Sequence, residues 1–180
     1  NPLAKLRDVN TGPIPVLDVE DGLILRDDEA LLPVLEGMGA LHLSYSILSV
    51  RGCPYQCSYC LNSRLKEIFS GKGPYIRLVA TPRVIEELVW AKRHLPRMKR
   101  VIFDDDDFFL RSESDMRQLL ALYAENIDLP IFYIEAHMQN ISEGKLDALL
   151  HSGVTSNYLK IGLQSGSVRI NETIFNRRFA

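Results

Sequence analysis

Cysteine is scarce in this chain: 180 residues hold only three thiols, Cys53, Cys57 and Cys60. An odd count does not close into disulfides, and nothing reads as a secretory signal, so a disulfide-stapled extracellular module is excluded. Long hydrophobic runs are also missing, and none approaches the length of a membrane span. A basic excess is lacking too. Twenty-one lysines and arginines face 23 acids, for a net charge of −2, which gives no broad cationic surface for nucleic acid. There is no initiator methionine at Asn1, and Ala180 falls just inside an incipient helix, so the sequence reads as a piece of a longer protein. What remains is ordinary for a soluble globular domain with one substantial core: 46% hydrophobic and 24% charged residues.

The three thiols are not scattered. They sit in S-V-R-G-C-P-Y-Q-C-S-Y-C-L, Ser49 to Leu61, spaced C-x3-C-x2-C within eight residues. Thiols that close can face one point in space, which suits a metal centre. A [4Fe–4S] cluster is ordinarily held by four cysteines, one per iron. With three, one iron keeps open positions where a small molecule can bind, as catalytic metal sites do. Zinc is the competing reading and needs a histidine as fourth ligand, from His42, His94, His137 or His151. None of these lies at zinc-motif spacing.

Downstream of the cysteines, strands and helices alternate. Leu43 to Val50 reads as a first strand feeding the cysteine loop, and Leu61 to Phe69 as a short helix broken at Gly71-Lys72-Gly73-Pro74. Tyr75 to Ala80 is extended, and Thr81 caps a helix from Pro82 to about Leu95. Further strands are expected at 99–103, 130–135 and 157–163, with helices at 112–125 and 142–151 capped by Ser112 and Ser142. Gly153 ends the last of these helices. This order argues for α/β architecture with parallel strands and helical crossovers. Few charges fall in the second to fourth strands, as burial on both faces demands. A barrel and a doubly wound sheet stay equally open on pattern alone. Residues 1–43 read as a lead-in or linker, with a hairpin at 16–25 and a short helix within 27–37, and 44–180 as the N-terminal part of the core domain.

In parallel α/β folds, function gathers at the C-terminal ends of the strands. The cysteine loop follows the first strand. The second strand ends in F-D-D-D-D-F, Phe103 to Phe108, the third in Glu135-Ala136-His137, and the fourth in K-I-G-L-Q-S-G-S, Lys160 to Ser167. Alone, the acid run reads equally well as a solvated loop or a divalent-ion contact. His137 reads as a hydrogen-bonded structural residue, ahead of a general base or a sugar contact.

Taken together, these stretches resemble the radical S-adenosylmethionine (radical SAM) superfamily. The cysteine spacing, the aromatic Tyr59 before the last cysteine and the flanking Gly52 and Pro54 match its cluster loop. The acid run is similar to the F-x-D-D-x-F, and Gly162 to Ser167 to the G-[ILV]-[EQ]-S-G-S, of the branch that often carries an upstream cobalamin (B12) domain. The resemblance spans about Ser44 to Arg178. It implies a partial (βα)6 TIM-like barrel with about four βα units present. It implies a [4Fe–4S] cluster on Cys53, Cys57 and Cys60, and reductive cleavage of S-adenosylmethionine to a 5′-deoxyadenosyl radical. Tyr59, Asp105, Asp107, Glu135, Gln164, Ser165 and Ser167 are the expected cofactor contacts, with Asp105 and Asp107 the acceptors for the amino group. No residue is assigned as an acid–base catalyst.

The resemblance also implies an electron donor such as flavodoxin or ferredoxin and a cytoplasmic setting. It implies cobalamin only through a domain this sequence does not contain, and it points to cobalamin-dependent methyltransferases or methylthiotransferases as relatives. A non-catalytic iron–sulfur or zinc module is the alternative. The Gln164–Ser167 turn argues against it, because a bare cluster carrier has no use for a sugar-binding turn three strands from its cysteines.

Overall fold

The computed structural model describes residues 44–95 and 97–178. The expected hairpin and helix of the lead-in lie outside the described residues. Four parallel strands form one sheet: β1 (Ser44–Ile47), β4 (Arg100–Phe103), β5 (Ile131–Ala136) and β6 (Ser156–Ile161), in that spatial order. Helices α1 (Leu61–Ile68), α2 (Thr81–His94), α3 (Glu113–Asn126) and α4 (Glu143–Leu150) make the crossovers. Consecutive parallel strands in sequential order, each reached through a helix, are the wall of a βα barrel. The partial TIM-like barrel is thus the observed architecture. Among the described residues, no helix is long and apolar enough to cross a membrane.

One face of the sheet is packed and the other is polar. Val101, Phe103, Ile131 and Ile134 are fully buried against Val84 and Leu88 of α2 and Met116, Leu119, Leu120 and Tyr123 of α3. The helical spacing of those apolar positions puts them on one stripe of each helix. On β5 the buried positions fall three and then two apart, because the register shifts by one residue between Val101 and Phe103. That extra residue re-aims Tyr133 and Glu135 toward the polar face. The expectation of two-sided strand burial is corrected at β6, where no residue is buried and Tyr158 is 61% exposed.

Two local features depart from the sequence pattern. Ser112 and Ser142 cap α3 and α4, accepting from the backbone N–H of Asp115 and Lys145. Thr81 does not cap α2. It is the first helical residue, and its hydroxyl donates to Asp115 at 2.7 Å, tying α2 to α3. The first strand also stops short. The β1–β4 ladder ends where the Asp104 N–H donates to the Ile47 carbonyl. The chain then leaves the sheet and forms an unanticipated antiparallel ribbon, β2 (Val50–Arg51) with β3 (Arg77–Leu78).

Candidate metal and cofactor site

The acid run decides where the cysteine loop goes, and each acid has a separate task. Asp104 accepts from the Tyr133 hydroxyl at 2.8 Å. Asp105 reaches back across β1. It accepts from the Ser49 N–H at 2.5 Å, the Val50 N–H at 2.8 Å and the Ser49 hydroxyl at 2.7 Å. A side chain replaces the neighbouring strand as the acceptor for these N–H groups, which bends the chain out of the sheet. Arg111, 1% exposed, holds the other side of the same link: it donates to the Ser49 and Val79 carbonyls and pairs with Asp115. Asp106 accepts from the Gly52 N–H at 2.6 Å and from the Asn62 amide at 2.5 Å. Asp107 accepts from the Phe109 N–H, capping a 3-10 turn at Phe108–Leu110, and from the Asn140 amide at 2.6 Å.

Gly52 starts the loop in the left-handed region, φ +89°, and a Cβ there would lie 2.4 Å from the Tyr75 carbonyl oxygen. No residue but glycine fits that bend. Beyond it, Cys60 donates its N–H to the Cys57 carbonyl, and Lys66 of α1 donates to the carbonyls of Pro54 and Tyr55 at 2.6 and 2.9 Å. The Tyr55 ring stacks on His137, centroids 3.7 Å apart. The chain after β6 then clamps the loop from its far side. Ser58 donates to the carbonyls of Phe175 and Ile174, and Asn176 to that of Gln56.

These contacts gather Cys53, Cys57 and Cys60 on the wall of a cavity of about 280 Å3, shared with Tyr59, Asp106, Glu135, Lys160, Gln164 and Arg177. The volume is near the lower end for small-molecule pockets. Arg177 is the feature sequence reasoning missed. It is 8% exposed, and its guanidinium lies 3.7 Å from the Cys57 sulfur and 3.2 Å from the Tyr59 hydroxyl. It also donates to the Gly162 carbonyl at 2.6 Å. Burial pushes the Cys53 thiol up to about 11, with Asp107, Asp106 and Cys57 adding to it and a backbone hydrogen bond at Tyr55 opposing.

The donor set, three thiols on one cavity wall with a buried guanidinium beside Cys57, is chemically suited to an iron–sulfur cluster. Among the described residues, no three His, Cys, Asp or Glu side chains are placed to hold one metal ion. An anionic cluster also gains from a buried cation, and Arg177 is already beside Cys57. Among the described histidines, His151 pairs with Asp147 at 2.8 Å on α4, and His137 Nδ1 accepts from the Gln139 N–H.

A family model for the radical SAM superfamily matches residues 47–179. The chain belongs to the radical SAM superfamily. Two solved structures carry a similar fold, both of the cobalamin-dependent S-adenosylmethionine radical enzyme OxsB. One, with aqua-cobalamin bound, has 15% identity and a TM-score of 0.56. The other, with aqua-cobalamin and S-adenosylmethionine bound, has 16% identity and a TM-score of 0.54. Each match covers 78% of this chain and 21% of the OxsB chain, so the present chain spans about a fifth of those relatives. No match was found among curated proteins.

Within this radical SAM wall, the expected cofactor contacts separate into two groups. Tyr59, Glu135 and Gln164 line the cavity with the three cysteines. Glu135 pairs there with Lys160, its register partner across β5 and β6. Gln164 holds φ +65°, a backbone cost that few residues bear without cause. Ser165 and Ser167 do not line the cavity. They build the turn itself, the Ser165 hydroxyl accepting from the Ser167 N–H and that of Ser167 from the Ile170 N–H. Asp105 and Asp107 are not among the residues that line the cavity. They are 2% and 0% exposed, their oxygens holding the β1–β2 link and the 3-10 turn just as those of exposed Asp106 hold Gly52 and Asn62. Asp106, between them in the motif, is the acid on the cavity wall.

Proposed function

We propose that this chain holds a [4Fe–4S] cluster on Cys53, Cys57 and Cys60 and, as part of a longer protein, cleaves S-adenosylmethionine reductively. The carrying observation is that all three thiols of the chain share one cavity at the strand C-terminal ends with a buried arginine beside them. When bound, the cluster supplies one electron and an open iron for the amino and carboxylate groups of S-adenosylmethionine. The chain's residues bind and orient. Glu135 and Gln164 line the same cavity as the three cysteines and are suited to hold the hydroxyls of a ribose. Asp106 is suited to accept from the ammonium group, because a carboxylate is acceptor-only when ionised. The Tyr59 ring offers a flat face for adenine. His137 acts in support: burial lowers its pKa to about 4, so it stacks on Tyr55 as a neutral ring at neutral pH.

Dependence on cobalamin is stated of OxsB. We extend it to this protein on the cysteine-loop and acid-run resemblance, with the cobalamin held outside the residues present here. A cobalamin-dependent methyl transfer, or a methylthio transfer, is the corresponding activity. The experiment is anaerobic reconstitution of the full-length protein followed by assay of 5′-deoxyadenosine from S-adenosylmethionine and dithionite. We expect product from the wild type and none from Cys57→Ser or Cys60→Ser. Product at wild-type rate from both variants would refute the assignment.

A further inference from the structure

We infer that Asn171 is a positioning residue: its buried amide fixes the Gln164–Ser167 turn and, through it, the Gln164 side chain on the cavity wall. This deepens the proposed reading and rests on it, since the molecule to be held is S-adenosylmethionine. The turn is strained where it meets the cavity. The Ser165 N–H donates to the Leu163 carbonyl at 2.8 Å, closing a three-residue γ-turn around Gln164. A φ of +65° puts Gln164 in the rare, strained form of that turn, which persists only where neighbouring contacts hold it. On the exit side that contact is Asn171, whose side-chain amide donates to the Ser165 carbonyl at 2.8 Å. The backbone of Asn171 secures the same segment at two more points. Its N–H donates to the Ser167 carbonyl at 3.0 Å, and its carbonyl accepts from the Arg177 N–H at 2.8 Å. Gln164 and Arg177 converge on the piece so built. A Cβ on Gly162 would lie 2.9 Å from Gln164 Nε2 and 3.3 Å from Arg177 Nη2.

Core packing does not explain the amide. From Gly162 to Asn176, Asn171 is the one buried residue, 2% exposed, while the apolar Leu163, Val168 and Ile174 are each more than half exposed. A segment shaped by burial alone would do the reverse. Asn171 Oδ1 is buried too, and it accepts no hydrogen bond among the described residues. An orphaned buried acceptor costs more than one neutral hydrogen bond contributes, so each such group needs a reason. Leucine branches at the same atom and would bury without the orphan. The gain from asparagine therefore lies in where it holds the Ser165 carbonyl. Its setting agrees: Asn171 belongs to a single π turn, Ile170–Ile174, closed by the Phe175 N–H donating to the Ile170 carbonyl. Isolated π turns recur at functional sites.

The test uses the full-length protein with its cluster loaded and reduced by dithionite. S-adenosylmethionine is titrated in, and its apparent Kd is read from the change in the EPR signal. Iron content and urea unfolding are measured beside it. For Asn171→Leu we expect the Kd to rise about tenfold, with iron content unchanged and the unfolding midpoint unchanged or higher. A purely structural role would lower the last two instead. Gln164→Ala supplies the second arm. In that background Asn171→Leu should weaken binding by less than about twofold, because its effect runs through Gln164. Wild-type affinity in Asn171→Leu would overturn the inference. So would a full tenfold loss in the Gln164→Ala background, or a loss of iron or of unfolding stability alongside the affinity. A wild-type spectrum that ignores S-adenosylmethionine would overturn the functional reading and this inference together, whereas a responsive wild type with any of those variant results overturns the inference alone.

Discussion

Removing the Asp105 carboxylate should loosen the cysteine loop without touching a cysteine. The carboxylate is 2% exposed and satisfies two backbone N–H groups and one hydroxyl at the point where the chain leaves β1. In Asp105→Ala those buried donors lose their acceptor, at about 1–3 kcal/mol for each N–H, so a loss of about 2–6 kcal/mol is expected. Asp105→Asn should cost far less. Its amide oxygen keeps both N–H bonds, and the Ser49 hydroxyl can turn to accept from the amide nitrogen. The pair also isolates a pH effect. Burial holds the Asp105 pKa at about 6, above its ordinary 3.8. A raised folded-state pKa means the native form takes up the proton first. The stabilisation is therefore full below about 3.8 and is lost as pH rises through about 6, a swing of about 3 kcal/mol. Wild-type stability minus that of Asp105→Asn, from urea unfolding between pH 4 and 7, should fall across that window. A difference that is flat or rising, or an alanine variant as stable as wild type, would refute the reasoning.

Three other perturbations follow from the same geometry. Gly52→Ala has neither the backbone conformation nor the space, and we expect about 3 kcal/mol or more of destabilisation, with lower iron content after reconstitution. Unchanged melting and iron content would contradict this. Arg111→Met strands the Ser49 and Val79 carbonyls and the partner Asp115, for an expected loss of about 3–5 kcal/mol by chemical denaturation. Arg177→Gln removes a cation 3.7 Å from the Cys57 sulfur. The midpoint potential of the cluster should become more negative by on the order of 50 mV in a redox titration. An unchanged potential would separate Arg177 from the cluster.

The βα order and the cysteine loop were legible in the sequence because both depend on local pattern. Cap and breaker residues marked the helices, with Ser112 and Ser142 at two starts and Gly153 at an end, and C-x3-C-x2-C needs no tertiary information. What escaped depends on contacts between distant residues. The ribbon exists because Asp105, 55 residues beyond Val50, takes that residue's N–H. In an unbroken D-D-D-D run nothing in the sequence says which acids turn inward, so Asp105 and Asp107 stood out and Asp106 was passed over. Arg177 reaches Cys57 across 120 residues. Its one available signal was its position, shortly after the Gln164–Ser167 turn, on a segment that must run back past the strand ends. Thr81 looked like a cap because threonine before proline commonly is one, yet Asp115 claims its hydroxyl.

The central claim is that the three cysteines leave one iron free for S-adenosylmethionine. Low-temperature EPR of the full-length protein, reconstituted and reduced under anaerobic conditions, tests it most directly. The account predicts a reduced [4Fe–4S] signal whose g-values shift when S-adenosylmethionine is added. The same spectrum with and without S-adenosylmethionine, in a protein holding four irons, would contradict it and favour a structural or electron-transfer cluster.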